Sequence, residues 1–386
     1  MKKTILTLVA LISVAMAFAN DSCYDTNGNT LFPYMNTSIA IDKEVLTIRL
    51  TDTNRIYYDV DYTFINNSDT EQTVLMGFEA DPPYPDRTEL SNSGHPRMYD
   101  FTVEMNGEKI KYENCIAPLM EKTQMFQPFD ISKWKVFEGN MIVPNTNKDD
   151  DCDNGETFAF VYYFNATFKP GVNRIHHTYN YDAGIGVSCA YFTNYKLTPA
   201  NRWASGKIRD FTLRITAPNL PKHFILTTDA AKYNPQIVSG VAKFRQKSEN
   251  IEASEVEPAY TLNHMEISMR NATLEWHLTD YTPTRQELNI LSGDNLHVFY
   301  TDKQMQQLYN HPTYYFDAAD RFVQYMKVKP QDKRLLQNLP YAKRGYVFKD
   351  KTLQRHFNNL WWYMPDPNYV PQQSDFSDKE WQQIKK

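Results

Sequence analysis

The sequence predicts a mainly β protein, with a large antiparallel β-sandwich body followed by a small α-helical C-terminal domain. Two observations predict this fold class. Over residues 39–278, apolar and polar residues alternate with a period near two, in short runs separated by turn residues. Beyond Thr284 the apolar spacing changes to that of helices. We therefore divide the chain into a signal peptide at 1–19, a body at 20–283 and a helical domain at 284–386.

The clearest strand is predicted at 55–65. Its large apolar side chains fall on one face and its aspartates on the other, which is typical of a half-buried strand. Members of the apolar face are Tyr58, Val60, Tyr62 and Phe64. Residues 66–69 form a turn signal, and 73–78 is predicted to be the hairpin partner of this strand. Further strands are predicted at 101–112, 157–168, 174–181, 187–197, 211–217, 223–228, 241–246, 259–269 and 273–278.

Turn and loop signals separate these strands. Asn106 and Gly107 lie between two alternating runs and predict a tight hairpin. Two long loops are expected at 80–99 and 116–151, and loops of this length are often functional. A break near 198–205 would divide the body into two subdomains.

Helix start signals characterise the C-terminal domain. Ser377 and Glu380 have the spacing of a capping box, and Asp350 is a predicted N-cap. Pro340 interrupts a helical apolar face, so we expect a kink or a helix restart there. The members of that face are Leu335, Leu339, Ala342 and Tyr346.

The N-terminus has the pattern of a secretory signal peptide. Lys2 and Lys3 form a positive segment, an apolar stretch follows, and Ala17-Phe18-Ala19 matches the small-x-small cleavage site. The apolar stretch is shorter than the ~20 residues of a membrane-spanning helix, although a short membrane anchor is the alternative. We therefore expect an exported protein, periplasmic or extracellular, that does not span the membrane.

Because the protein is expected to be exported, its four cysteines are predicted to form disulfides. In an oxidising compartment an even count favours two disulfides, and four cysteines allow three pairings. Cys115 follows one predicted strand and Cys152 precedes another, so a Cys115–Cys152 bond would clamp the base of the loop between them. A Cys23–Cys189 bond then follows by default. The long spacings speak against a zinc or redox site.

The charge distribution is uneven. The net charge is −5, and removal of the signal peptide with its two lysines makes it −7. From residue 284 onward, 15 Lys and Arg stand against 11 Asp and Glu, a net charge of +4, so the body is strongly acidic. An acidic body speaks against nucleic acid as the main partner.

No catalytic or metal motif stands out, and no cofactor is expected. The sequence lacks a G-x-S-x-G, an H-E-x-x-H and a Gly-rich phosphate loop. The acidic loop 149–156 is interpreted as a solvated turn, because Asn154 stands where a calcium-binding loop needs glycine. His176 and His177 are consecutive on a predicted strand, so they point to opposite faces and cannot serve one site.

The segment 339–363 resembles the YARHG domain, a short module of exported bacterial proteins named after its own signature. Tyr341, Ala342 and Gly345 match the signature, whereas Lys343 and Arg344 stand where Arg and His are usual. The flanks also match, through Tyr346, Val347, Phe348, Lys349, Leu353, Phe357, Trp362 and Tyr363. The resemblance implies export and a helical fold, and it implies no reaction. The missing histidine removes the side chain there that titrates near neutral pH.

The body resembles a secreted bacterial family of unknown function, and this resemblance implies no activity either. The resemblance rests on four segments. They are one strand with its turn at 60–68, the aromatic-x-x-x-Pro pattern at 78–82, the strand at 100–107, and the segment 203–213, which begins with a tryptophan. The matching residues are Val60, Tyr62, Phe64, Asn66, Ser68, Phe78, Pro82, Asp100, Phe101, Val103, Asn106, Gly107, Trp203, Gly206, Ile208, Asp210, Phe211 and Leu213.

Aromatic residues cluster near the C-terminus beside several prolines. Such a cluster can stack on sugar rings or bind an extended peptide, but a small domain also needs large apolar groups for its core, and we favour that interpretation. If the domain is an interaction module, its predicted contact surface comprises Tyr341, Lys343, Arg344, Tyr346, Trp361, Trp362 and Tyr363.

These observations favour a non-enzymatic protein of the cell envelope, with the body as scaffold or binder. The helical domain would contact envelope proteins or cell-wall glycan. One alternative is a hydrolase acting on envelope glycan or peptide, which would need a pair of carboxylates at a set separation. Its loose candidates are Glu79, Asp81, Asp86 and Glu89. Another alternative is a glycan-binding module that uses exposed Trp361 and Trp362.

Overall fold

The computed structural model describes most of the body and the end of the helical domain. The described residues are 31–33, 37–51, 53–80, 95, 97–118, 134–136, 142–144, 158–184, 189–218, 222–251, 253, 259–284, 287–293, 330–358 and 363–385. The predicted signal peptide, the acidic loop 149–156, and Cys23 and Cys152 lie outside them, and only the backbone of Cys115 and Cys189 is described. In this part of the chain, no helix is long and apolar enough to cross a membrane.

Strands dominate the described residues. In chain order they are β1 Phe32–Pro33, β2 Ile39–Arg49, β3 Arg55–Asn66, β4 Gln72–Ala80, β5 Met98–Met105, β6 Glu108–Lys109, β7 Glu113–Pro118, β8 Trp134–Val136, β9 Ile142–Pro144, β10 Phe158–Phe168, β11 Gly171–Asp182, β12 Cys189–Tyr195, β13 Ile208–Thr216, β14 Lys222–Thr227, β15 Gln236–Ile251, β16 Tyr260–Tyr281 and β17 Leu288–Gly293. The helices are α1 Pro330–Lys343, α2 Lys351–Asn358 and α3 Asp378–Lys385.

Most of these strands form one large mixed sheet. Its order is β12-β17-β14-β16-β13-β2-β3-β11-β5-β6, and β15 pairs with β16 off this path. Strands β2 and β13 run parallel, and the other pairs in the sheet are antiparallel. The predicted mainly β body with a helical C-terminal domain is confirmed. The parallel pair is a feature that hairpin signals could not reveal, because its paired residues are 167 positions apart in the chain.

A smaller sheet, ordered β1-β4-β10-β7, packs on the large one. Phe78 of β4 and Tyr162 of β10 contact Phe101 of β5, with ring centroids 5.3 and 4.4 Å apart, and Phe78 also contacts Tyr179 of β11. The core therefore lies between the small sheet and the inner face of the large sheet. Burial of each such aromatic side chain contributes roughly 1.5–3 kcal/mol to folding.

The predicted hairpin between β3 and β4 is wrong. Strand β4 pairs with β1 and β10, while β3 pairs with β2 and β11. The turn itself explains the difference. The Asn66 side chain donates to the carbonyl oxygens of Thr70 and of Phe168 at the end of β10. These bonds direct the chain away from β3 and towards β10.

The strands predicted at 259–269 and 273–278 form one strand, β16, so that prediction of two strands is also wrong. Asn271 lies between them at a φ of 42°, and the register with β15 shifts opposite it. Gly240 of β15 approaches so closely that a Cβ there would lie 1.9 Å from the Asn271 carbonyl oxygen. A bulge with a glycine lets one long strand bend without ending.

Two other turn regions are described. Asn106 and Gly107 both have positive φ, 53° and 86°, between β5 and β6, which confirms the predicted tight hairpin. The region near 198–205 contains the 3-10 helix Thr198–Arg202 and the buried Trp203, and it connects two strands of the same large sheet.

Both predicted helix caps are confirmed. The Asp350 carboxylate accepts from the backbone N–H groups of Thr352 and Leu353 at the start of α2. At α3, Ser377 N donates to the Glu380 carboxylate at 2.9 Å, and Glu380 N donates to Ser377 Oγ at 3.3 Å. These reciprocal bonds are those of a capping box.

Helix α1 continues through Pro340 rather than restarting there. Proline has no N–H, so the carbonyl oxygen of Leu336 loses its usual partner within the helix. The side-chain amide of Gln383 in α3 donates to that oxygen at 2.7 Å. A side chain of the neighbouring helix therefore compensates for the proline.

Candidate functional site

The outward face of β3 is the starting point of the candidate site. Ile56, Tyr58, Val60, Tyr62 and Phe64 are all buried on the inner face. The alternate positions point to the other side of the sheet, because successive side chains on a strand face opposite ways. Those outward positions are Tyr57, Asp59, Asp61 and Thr63, and they are half-buried or exposed.

The register between β3 and β11 brings a histidine to the two aspartates. His176 is the direct partner of Asp61, and Asp59 is one outward position further along. The Nε2 atom of His176 lies 3.1 Å from Oδ1 of Asp59. One side-chain nitrogen or oxygen of each of Asp59, Asp61 and His176 lies within 4.8 Å of the others. This group is called the outer triad below.

A depression of about 560 Å³ adjoins the outer triad. Residues from β2, β3, β5 and β11 line it, and the turn at Asn106 and Gly107 borders it. Its charged and titratable lining residues are Lys43, Asp61, Glu104, Arg174 and His176. Both signs of charge therefore converge on one concave surface.

A second histidine–carboxylate pair lies on the same face of the sheet. His277 Nε2 lies 2.7 Å from Oδ1 of Asp210, and the Lys43 Nζ donates to Oδ2 of Asp210 at 3.0 Å. Burial opposes ionisation of Asp210, yet the hydrogen bonds from Lys43 and His277 outweigh it and lower the pKa of this carboxyl. This pair is therefore already neutralised by a lysine, in contrast to the outer triad.

The inner face of β11 surrounds His177 with aromatic rings. The imidazole is stacked at 5.9 Å on Tyr62 and at 5.8 Å on Tyr179, and Phe78 contacts it edge-on at 5.2 Å. Among the described residues, neither ring nitrogen has a hydrogen-bond partner. Burial, with a small contribution from the charge of His176, lowers the pKa of His177 to about 3. The expectation that the two histidines point to opposite faces is confirmed.

In the C-terminal domain, the signature residues form the end of α1. Tyr346 N donates to the Tyr341 carbonyl oxygen at 3.0 Å, and Gly345 N donates to that of Ala342 at 2.9 Å. This is a Schellman motif, in which the residue after the helix adopts positive φ. Gly345 has a φ of 81°, and a Cβ there would lie 2.4 Å from the Met364 carbonyl oxygen. Glycine is therefore required at this position for two reasons.

Arg344 is buried, and both terminal nitrogens of its guanidinium are hydrogen-bonded within the domain. It donates to both carboxylate oxygens of Glu380 at 2.8 and 2.9 Å, and to the Pro340 carbonyl oxygen at 3.0 Å. The guanidinium also lies 4.7 Å from the Phe376 ring centroid. Arg344 thus ties the end of α1 to the start of α3.

The C-terminal domain contacts the β15–β16 hairpin of the body. Lys243 Nζ donates to the Tyr363 carbonyl oxygen at 2.6 Å, and Nη1 of the buried Arg270 donates to Asp366 at 3.1 Å. Burial, with a smaller contribution from the nearby charge of Lys343, lowers the pKa of His223 on β14 to about 3. The signature region is thus in contact with the body of the same chain.

Five of the seven predicted contact residues lie in the described part of the chain. Arg344 and Tyr363 are buried, and Tyr341, Lys343 and Tyr346 are half-buried. The structure brings them together at the end of α1 and beside the body. Their use as a contact surface for a partner stays a prediction. The remaining two, Trp361 and Trp362, lie outside the described residues.

Of the carboxylates proposed for a hydrolase, Glu79 is described. It is buried on β4, and its Oε1 lies 3.5 Å from the Nζ of Lys196. Asp81, Asp86 and Glu89 lie outside the described residues.

The outer triad was missed from the sequence. Asp59 and Asp61 have the spacing of any solvated strand face, and this pattern alone indicates no site. The missing information was the register between β3 and β11, which are separated by more than 100 residues in the chain. The sequence shows the His176-His177 pair. Without that register, it does not show that His176 lies beside Asp59 and Asp61 of β3.

The fold and the site define a class of protein: a β-rich body with a polar depression on its outer face, and a helical domain seated on its long hairpin. Within this class, the chain carries a YARHG domain at residues 317–386. Residues 19–149 match a domain of unknown function, DUF4424. No curated protein matches the sequence.

Several solved structures are similar over large parts of the chain. One is a candidate nutrient binding protein of Legionella pneumophila, 20% identical with a TM-score of 0.48, covering 94% of this chain and 99% of its own. An M1 zinc metallopeptidase of Deinococcus radiodurans is 9% identical with a TM-score of 0.24, covering 62% and 43%. Baculovirus P35 is 12% identical with a TM-score of 0.24, covering 68% and 99%. None of these likenesses identifies an activity for this chain.

Proposed function

We propose that this protein is an exported, non-enzymatic binding protein of the cell envelope. Its ligand site is the depression on the outer face of the large sheet, and its ligand is a small molecule that carries both an amine and a carboxylate. The N-terminal segment and the YARHG domain support export. Contacts with envelope proteins or cell-wall glycan remain part of the proposal for the C-terminal domain.

The depression itself is the observation that carries the proposal. Its volume of about 560 Å³ lies within the roughly 300–1,000 Å³ that is usual for small-molecule sites. The strands that line it are interior members of the large sheet, so their side chains start from fixed backbone positions. Sites built on such strands hold their geometry better than sites on loops.

The charges of the lining residues indicate the ligand class. Arg174 is exposed, and its backbone N–H donates to Asn106 Oδ1. Its guanidinium has no hydrogen-bond or ion-pair partner among the described residues and lines the depression, so it is available to a carboxylate. Asp61 and Glu104 face the same depression and can accept from an amine. A ligand with both groups would satisfy both kinds of residue at once, whereas a purely anionic or cationic ligand would meet a repelling charge.

A ligand screen tests this proposal. Calorimetry and saturation-transfer NMR of the full mature chain would use free amino acids and dipeptides as probes, in metal-free buffer after the protein has been treated with a chelator and dialysed. We expect at least one probe to bind, and we expect Arg174→Gln and Glu104→Gln each to weaken its binding by about tenfold or more, because a hydrogen bond to a charged group contributes roughly 1.5–3 kcal/mol.

Arg214 and Glu275 provide matched controls. They form an ion pair on β13 and β16, on the same side of the sheet but away from the depression. Arg214→Gln and Glu275→Gln change the net charge by the same amounts and should leave the affinity unchanged. If no probe binds, or if all four variants weaken binding equally, the proposed ligand site is incorrect.

A further inference from the structure

We infer that Asp59, Asp61 and His176 bind a divalent transition-metal ion, and that this ion is Zn²⁺ or Mn²⁺. This inference deepens the proposed function, because the ion would lie at the rim of the proposed ligand site. Asp61 and His176 belong both to the outer triad and to the lining of the depression. A bound ion would therefore expose its open coordination positions to a ligand in the depression.

The first argument is geometric. Zinc binds nitrogen and oxygen at about 2.0–2.2 Å, so neighbouring ligand atoms around it lie on the order of 3 Å apart. The Nε2 of His176 and the Oδ1 of Asp59 are 3.1 Å apart, and an Asp61 oxygen lies within 4.8 Å of both. Closer approach of the Asp61 carboxylate to the other two ligand atoms would complete a three-ligand site.

The second argument is the position of the triad in the sheet. Strand β3 is held by a ladder of ten residue pairs with β2 and one of twelve with β11, so Asp59, Asp61 and His176 cannot move apart without breaking a ladder. Asp59 and Asp61 share one face because they are two residues apart, and His176 is the cross-strand partner of Asp61. The three side chains therefore converge before any ion arrives.

The third argument is charge. Two carboxylates lie within 4.8 Å of a single imidazole, and the Asp61 carboxylate has no hydrogen-bond or ion-pair partner among the described residues. The comparable group on the same face, Asp210 with His277, contains one carboxylate and already has the Lys43 ammonium beside it. A cation would therefore neutralise the outer triad, whereas the second group needs none.

The donor set then selects the class of metal. Calcium and magnesium prefer all-oxygen sites, whereas imidazole together with carboxylates suits zinc, manganese and iron. Binding requires the lone pair of His176 Nε2, so any proton on that atom must leave when the ion enters. Three protein ligands would leave at least one position for water or for an organic ligand.

Calorimetric titration of the full mature chain, without an affinity tag and after chelator treatment, tests this inference. The probes are ZnCl₂, MnCl₂ and CaCl₂ in a buffer that contains no amino acid. We expect one zinc or manganese ion per chain, and calcium binding that is at least 100-fold weaker. Asp61→Asn and His176→Gln should each weaken zinc binding tenfold or more, and His176→Gln should also reduce the preference over calcium.

The control variants are Asp210→Asn and His277→Gln, which remove the same groups from the second pair and should leave zinc binding unchanged. Circular dichroism of all four variants would verify that each is folded. Absence of zinc and manganese binding, or equal affinity for calcium with no effect of His176→Gln, would overturn the inference. Because the amino acid screen uses metal-free protein and the metal titration contains no amino acid, failure of either experiment leaves the other result intact.

Discussion

On β11, His176 and His177 are neighbours in the chain, yet their surroundings differ in almost every respect. His176 lies on the outer face beside two carboxylates, with 41% of its side chain exposed. His177 is fully buried against Tyr62, Tyr179 and Phe78. The same residue type is thus available to ligands on one side of the sheet and part of the core on the other.

The same contrast holds along β3. Its inner positions carry aromatic and aliphatic side chains that are at most 2% exposed, and its outer positions carry a tyrosine, two aspartates and a threonine that are half-buried or exposed. The inner face therefore contributes to stability, and the outer face carries the proposed ligand site. Substitutions at adjacent positions should then have opposite effects on these two properties.

The largest difference is expected between Phe64 and Thr63. Phe64 is fully buried and contacts Phe168 and Trp203 at ring distances of 5.3 and 4.6 Å. We expect Phe64→Ala to lower the free energy of unfolding by about 3–5 kcal/mol, and Thr63→Ala to change it by less than about 0.5 kcal/mol. Guanidinium unfolding of the full mature chain measures both, and similar losses would refute the division between the faces.

A smaller effect is expected from the pH dependence of stability. The pKa of His177 is about 3 in the folded protein and 6.5 in the unfolded chain, so the folded state favours the neutral imidazole. This contribution is complete above pH 6.5 and is lost as the pH falls towards 3. Between pH 7 and pH 5 the loss is on the order of 2 kcal/mol.

The variant His177→Phe cannot titrate and should lose this part of the acid sensitivity. His223 and His264, whose pKa values burial lowers to about 3 and about 4, keep the variant partly acid-sensitive. Urea unfolding at pH 7 and pH 5 would compare the two proteins. An unchanged difference between the two pH values would show that His177 is not buried in its neutral form.

The smallest effect is expected for His176. Its ion pair with Asp59 is exposed on both sides, 41% and 42%, and such pairs contribute at most about 1 kcal/mol. We expect His176→Ala to leave the free energy of unfolding within that range at pH 7, as measured by urea unfolding. A loss as large as that of Phe64→Ala would place His176 in the structural core.

The alternation that separates the two faces could be predicted from the sequence, because a strand alone determines which residues share a face. Pairing could not be predicted in the same way. The turn after β3 indicated a hairpin, yet Asn66 bonds to β10 and sends β4 into the small sheet. The outer triad depends on the pairing of β3 with β11, so it could not be predicted from the sequence either.

The C-terminal domain shows the same limit. Its caps at Asp350 and Ser377 follow from local residue types and were predicted correctly. The contacts of Arg344 with Glu380, and of Arg270 with Asp366, join residues 36 and 96 positions apart. Local sequence patterns do not show contacts between residues so far apart, so the burial of Arg344 against Glu380 could not be predicted.

The most direct test of the two-face account is the response of the two imidazoles to zinc, followed by NMR of ¹⁵N-histidine-labelled full mature protein. His176→Gln and His177→Phe would assign the signals. The account predicts that ZnCl₂ shifts the His176 nitrogens and leaves those of His177 unchanged, and that His177 stays neutral down to pH 5. A His177 that titrates near pH 6.5, or a His176 that does not respond to zinc, would contradict it.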